Sequence, residues 1–175
     1  MSNNLYIGID PSLTGTGIVY LKDDEIVYQE LISSKPRGKD VINELERILD
    51  IIKRVDIDED VCPKLIAMEG LAFMARNTSA LVQLGYLNYR LRENFYNNKH
   101  KFIIVAPTSL KKFACEKGNA KKEMVLLETY KRWGMSFNDD NLCDAYVLAR
   151  IAQAYSEEIN ITKTQQEVIT KLNEN

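Results

Sequence analysis

LYIGIDPSLTGTGIVYLKDDEIVYQELI, residues 5–32, contains three short apolar runs separated by turn chemistry. Leu5–Ile9 is a strand-like run that stops at Asp10, Pro11 and Ser12. Gly15–Leu21 resumes it. Asp23, Asp24 and Glu25 form a turn into Ile26–Ile32. The β-branched and aromatic content of all three runs suits paired strands. Three consecutive antiparallel-type strands are therefore expected at the start of the chain. Asp10, at the first break, is either a turn former or a piece of chemistry.

Beyond this hairpin pair the period changes. From Asp40 to about Val55, Val41, Leu45, Ile48, Leu49 and Ile52 recur at helical spacing. Residues 64–70, KLIAMEG, read as a strand ending in Glu69. Residues 77–97 predict a long helix, capped by Asn77 or Thr78, with Leu81, Leu84, Leu87, Leu91 and Phe95 as its apolar stripe. KFIIVA, 101–106, is a further strand stopped by Pro107, and a short helix follows it. GNAKKEMVLLETYKRW, 118–133, carries Asn119 as a cap candidate and Met124, Leu127 and Tyr130 on one side. CDAYVLARIAQAY, 143–155, is a strongly apolar helix. TQQE, 164–167, fits a capping box, so the tail is either a terminal helix or a frayed end. The order β-β-β-α-β-α-β-α-α-α implies an α/β layer fold with a mixed sheet.

At 175 residues, 45% hydrophobic and 27% charged, the chain is most simply one globular domain. No long uncharged apolar run suggests a signal peptide or membrane span. Cys62, Cys115 and Cys143 match no disulfide framework or zinc spacing. These features together predict an intracellular, cytoplasmic protein. Net charge is −2, yet charge is segregated: Lys99–Trp133 holds nine Lys or Arg and three Glu, whereas Asp23–Asp60 holds twelve acidic and six basic residues. One face can therefore meet a polyanion, although solvated polarity explains the same counts.

The carboxylates carry the chemical signal. Asp10 and Glu69 each end an apolar strand. Asp144 lies within an apolar helix start, with Asp139 and Asp140 just before it. Acidic groups at strand ends and a helix start can converge outside a sheet edge. Such a set suits Mg²⁺, which prefers carboxylate and water oxygens. Each also has a structural reading, as turn, strand terminus or helix cap. Asp144 resists it, because a carboxylate facing the core is costly unless paired or metal-bound. His100, in a polar turn, reads as a surface residue. Gly15 and Gly17 lack the pattern of a phosphate loop and would let a substrate backbone approach Asp10. Spacing alone does not name the reaction.

GIDPSLTGTG (8–17), MEGLAFMARNTSALVQLG (68–85), GNAKKE (118–123) and DDNLCDAYVLA (139–149) together resemble the RuvC family of Holliday junction resolvases. The resemblance runs to about residue 155, leaving 156–175 as a C-terminal extension. Small size and divergence look like a bacteriophage-encoded member. The resemblance implies an RNase H-like fold, with a mixed five-stranded sheet, three leading antiparallel-type strands and flanking helices. It implies a homodimer, with the 77–95 helix similar to the family's dimer helix. It also implies paired nicking of four-way DNA with Mg²⁺, or Mn²⁺ in its place, at two ions per site.

By the same resemblance, Asp10, Glu69 and Asp144 match the family's catalytic, metal-holding carboxylates. The fourth usually lies three residues before the last aspartate, where this chain has Asn141. Asp140 is the favoured substitute, ahead of Asp139, and Asn141 could offer a neutral carbonyl. Phe73 matches an aromatic that enters the junction, displaced by one residue in the loop. Arg76, Lys111, Lys112, Lys117, Lys121 and Lys122 resemble the DNA-contacting set. Rival expectations are a broader nuclease for forks, flaps and three-way DNA, a junction-binding protein with weak catalysis, and an actin-like ATPase.

Overall fold

The computed structural model describes residues 4–36, 40–57, 61–71 and 78–174. In chain order the elements are β1 (Leu5–Asp10), β2 (Gly15–Lys22), β3 (Glu25–Ser33), α1 (Val41–Val55), β4 (Leu65–Glu69), α2 (Thr78–Asn97), β5 (Phe102–Val105), α3 (Pro107–Cys115), α4 (Lys122–Trp133), α5 (Asp140–Ser156) and α6 (Lys163–Asn173). The strands form one sheet in the order β3-β2-β1-β4-β5. β1, β2 and β3 are antiparallel neighbours, while β4 and β5 run parallel to β1. The β2–β3 hairpin turns through Asp23 and Asp24, both at positive φ. That conformation matches the strands' right-handed twist, and Asp tolerates it better than most residues.

Alternation along the strands builds two cores, one on each face of the sheet. Ile7, Ile9, Ile18, Ile66 and Met68 pack with Ile48, Ile51 and Val55 of α1 and Leu87, Leu91 and Phe95 of α2. Tyr6, Val19, Leu21, Leu65 and Ala67 pack on the other face with residues of α3, α4, α5 and α6. α5 is the centre of that second layer. It is buried almost all round between the sheet and the outer helices, as its lack of a polar face requires.

Three sequence expectations change here. On α1 the core takes Ile48, Ile51 and Val55, while Val41, Leu45 and Leu49 are exposed. On α4 the core takes Val125 and Thr129, while Met124, Leu127 and Tyr130 face outward. Each helix carries two apolar stripes, and periodicity does not say which one meets the sheet. The terminal helix is folded, but its capping box is Thr162 with Gln165, two residues before the expected start. Val168 and Ile169 of α6 are buried in the second core, and Gln165 donates to the Phe113 carbonyl at 3.2 Å.

Candidate active site

Strand parity decides which carboxylates can meet. Tyr6, Gly8 and Asp10 share the α5 face of β1, and Leu65, Ala67 and Glu69 share that face of β4. β1 and β4 are parallel and in register, with Ile9 opposite Met68. Asp10 and Glu69 therefore emerge side by side at the same end of the sheet.

α5 brings the other two. Asp140 and Asp144 are four residues apart, which places them on one face of the helix. The helix lies directly on the strands. A Cβ on Gly8 would collide with the Ala145 carbonyl and the Ala149 amide, and one on Gly17 with the Asn141 carbonyl. The expected purpose of the hairpin glycines is thus corrected: the room at Gly17 is filled by the start of α5, and Gly15 lies against the Asn141 side chain.

The three candidates for the fourth ligand have different surroundings. Asp139 is the N-cap of α5 and accepts from the Asn141 and Leu142 amides at 2.9 and 3.2 Å. The Asn141 amide nitrogen would stand 3.1 Å from a Cβ built on Gly15, so this side chain lies against β2. Asp140 forms an ion pair with Lys122, and its charge is felt at both Asp10 and Asp144.

Electrostatically the group is unbalanced. Asp10 is only 6% exposed. Burial first, and the Glu69 charge second, push its pKa well above the usual carboxylate range. Asp10 and Glu69 lie close enough that each carboxylate feels the other's charge and proton. Burial and then the Asp144 charge raise Glu69 to about 7. Burial and then the charges of Asp10 and Asp140 raise Asp144 to about 7. Asp140 alone is held below its ordinary value, by the Lys122 ammonium. Carboxylates forced together in low dielectric need protons or a cation.

That chemistry fits a hard divalent ion held by Asp10, Glu69, Asp140 and Asp144. Among the described residues no three acidic, His or Cys side chains stand in a ready-made metal-holding group. A closed shell therefore requires side-chain movement, with Asp140 released from Lys122.

Supporting residues escaped the sequence reading. Asn88 on α2 is buried and donates to the Glu69 carbonyl at 3.0 Å, anchoring the end of β4. Its signal was a polar residue interrupting the Leu84–Leu87–Leu91 stripe. Buried Thr16 ties the Asp10 turn: its hydroxyl donates to the Ser12 carbonyl at 2.7 Å and accepts from the Ser12 amide at 3.1 Å. Arg47, buried on α1, donates to the Leu13 carbonyl and, at 3.0 Å, to the Ser34 hydroxyl. No short motif announced that clamp.

The basic set divides. Lys111 and Lys122 act electrostatically on Glu69 and Asp144. Lys117 and Lys121 are exposed on the α3–α4 connection. Lys112 instead pairs with Glu167 of α6 at 2.9 Å, away from the carboxylates. Phe73 and Arg76 lie outside the described residues. His100 precedes β5, at the sheet end opposite the carboxylates.

No protein-family model matches the sequence, and no curated protein matches it. Solved structures do. Thermus thermophilus RuvC in complex with a Holliday junction substrate aligns over 83% of this chain and 90% of its own, at 19% identity and TM-score 0.60. Thermus thermophilus RuvC alone gives 23% identity and TM-score 0.62 over the same shares, 83% and 90%. The fold is that of RuvC. The yeast mitochondrial Holliday junction resolvase Ydc2 aligns over 97% of this chain and 80% of its own, at 12% identity and TM-score 0.58. The mixed five-stranded sheet with flanking helices thus matches the RNase H-like architecture expected from the sequence. These neighbours are bacterial and mitochondrial, and they give a bacteriophage origin no support.

Proposed function

We propose that this protein is a divalent-metal-dependent endonuclease that resolves four-way DNA junctions by paired symmetric nicks. The observation that carries the reading is the convergence of Asp10, Glu69, Asp140 and Asp144 at one sheet edge, in a fold shared with a RuvC bound to a Holliday junction.

Asp10, Glu69, Asp140 and Asp144 would hold the ions, Mg²⁺ or Mn²⁺, two to a site. Such ions, when bound, activate water and offset the charge that develops on a phosphodiester. The protein's own groups do the rest. Asp10 and Glu69, both pushed toward their protonated forms by burial and neighbouring charge, would ionise when the carboxylates hold a cation. Burial of Asp10 under α5 limits water around the reacting phosphate and strengthens each charge there. Lys111, Lys117, Lys121 and Lys122 meet backbone phosphates and position the DNA, while Lys112 contributes less because Glu167 holds it. Phe73 remains a proposed contact at the junction centre, and Arg76 one to the junction backbone.

A two-fold dimer would address two like strands at once. The outward face of α2 supports this, since Val82 (67%), Tyr86 (40%), Tyr89 (63%) and Tyr96 (77%) are exposed along one stripe, at steps of four, three and seven residues. Light scattering on wild type and Tyr89→Glu tests it, with a dimer and a monomer as the expected masses.

The deciding experiment is Mg²⁺-dependent cleavage of a synthetic mobile four-way junction, with products mapped on all four strands. Symmetric paired nicks are expected. Equal cutting of forks, flaps and three-way DNA would replace strict resolution with a broader branched-DNA nuclease. Tight junction binding without ion-dependent products would leave a binding protein.

A further inference from the structure

The start of α4 breaks a local rule. Helix N-termini carry partial positive charge and favour acidic or hydroxyl side chains. Here Lys121 is the N-cap, with no side-chain cap bond, and Lys122 is the first helical residue. Only Glu123 in that turn has the favoured sign. Two ammonium groups at a positive helix end oppose stability, and such violations concentrate at functional sites.

Lys122 finds its compensation across the site. It pairs with Asp140, and the charges of Asp144 and Asp10 also stabilise its ammonium. The Lys122 side chain is nonetheless 69% exposed. An ion pair so exposed is worth at most about a fivefold bias in an equilibrium, so it exchanges easily. The ammonium and a divalent ion compete for the same carboxylate. A phosphate arriving at the α4 N-terminus competes for the ammonium, at a place where backbone amides and Lys121 already favour anions.

We propose that Lys122 is a placeholder cation that holds Asp140 until a DNA phosphate draws it away, so that DNA binding and divalent-ion loading promote each other. This rests on the reading that the carboxylates hold a divalent ion. The coupling is reciprocal by thermodynamic necessity: whatever factor DNA adds to ion affinity, the ion adds to DNA affinity. Lys122 is then a positioning residue, acting through Asp140.

The test is Mn²⁺ binding, followed by loss of the free-ion electron paramagnetic resonance signal. Free wild-type protein is compared with Lys122→Gln, Lys122→Arg and Lys121→Gln. Lys122→Gln should tighten Mn²⁺ binding about fivefold, the bias of one exposed pair. Lys122→Arg should return it to the wild-type value. Lys121→Gln removes the same charge one residue away and should change affinity less than about twofold. Adding a four-way junction should tighten Mn²⁺ binding by wild type and leave Lys122→Gln nearly unmoved; aliquots on a denaturing gel identify points where DNA was cut. Thermal melts check folding of every variant.

Equal isotherms for wild type and Lys122→Gln would overturn the proposal, as would equal tightening by Lys121→Gln. A protein that cuts junctions with Mn²⁺ while those isotherms coincide loses only this role for Lys122. A protein that neither binds Mn²⁺ with the junction present nor cuts it loses the nuclease reading as well.

Discussion

α5 carries two charged groups into the interior, one near each end, and they are treated oppositely. Near its C-terminus Arg150 is buried, and every arm is answered. Its Nε donates to the Tyr146 hydroxyl at 2.8 Å and Nη1 to Gln153 at 3.0 Å. Asp24 accepts through its carboxylate and, at 3.2 Å, through its carbonyl. The guanidinium also lies 5.2 Å from the Tyr146 ring centre and 5.9 Å from that of Trp133. Near the N-terminus Asp144 meets Asp10, Glu69 and Asp140, all of its own sign, with Lys111 and Lys122 as partial relief. A buried charge that is fully paired holds a structure together. A buried charge set among like charges is kept for something that is added later.

The largest effect should come from the unbalanced end. Asp10→Asn or Asp144→Asn should reduce ion-dependent junction cleavage at least about a thousandfold, ~4 kcal/mol of barrier. Binding of the junction should persist in a gel-shift assay. Cleavage at the wild-type rate by either variant would end the assignment.

Arg150→Met should do the converse. Removing the centre of a satisfied network should cost about 3 kcal/mol of stability by denaturant unfolding. Mn²⁺ affinity of the folded protein should stay within about twofold of wild type, because the two ends do not share groups. A large loss of ion binding would show that they are coupled.

The two ends also predict opposite responses to pH. Glu69 and Asp144 have folded values of about 7, above their ordinary 4.5 and 3.8. Their stabilisation is fully present below the unfolded values and is lost as pH rises through about 7. Asp24 is held below its ordinary value, by the Gln153 hydrogen bond first and then by Arg150. Its contribution is present above the unfolded value and is lost as pH falls. Chelated protein should therefore lose stability between pH 5 and 8, by up to about 5 kcal/mol for the two groups together. Mg²⁺ should restore that loss at pH 8, and Asp144→Asn should flatten the slope. Melting curves with chelator and with Mg²⁺ check all three.

The smallest effect is the most discriminating. Asn141→Asp restores a carboxylate at the position where the resemblance expects one, yet Asn141 lies against Gly15. Cleavage and Mn²⁺ affinity should change less than about threefold, ~0.7 kcal/mol. A large gain would reinstate residue 141 as a ligand position.

The sequence carried much of this arrangement. Alternation in residues 5–32 and the strand ends at Asp10 and Glu69 located half of the carboxylates, because parity along a strand is rigid. The i and i+4 spacing of Asp140 and Asp144 also follows from sequence alone. What periodicity missed was the helix stripes: α1 and α4 each offer two apolar sides, and only the neighbouring layer selects one. Arg47 and Thr16 were illegible because each acts on a backbone carbonyl or amide far away or around a turn, and such partners leave no pattern in side-chain spacing; Asn88 left only a trace, as a polar break in an apolar stripe. The Asp139–Asp140–Asn141 ambiguity was a question of rotation about a helix axis. With Asp139 as the N-cap, Asp140 shares a helix face with Asp144, which supports it as the proposed fourth ligand.

Gly8 and Gly17 let the backbone of α5 rest on the backbone of β1 and β2, with no side-chain layer between them. The gap between Asp10 and Asp144 is consequently a caliper whose jaws are main chain. Repacking the surrounding core cannot open or close it, because no rotamer lies between the jaws. A single methyl at residue 8 would act as a shim under the whole helix, moving Asp140 and Asp144 together. The chain can thus vary its outer layers widely while the start of α5 keeps its seat against β1 and β2.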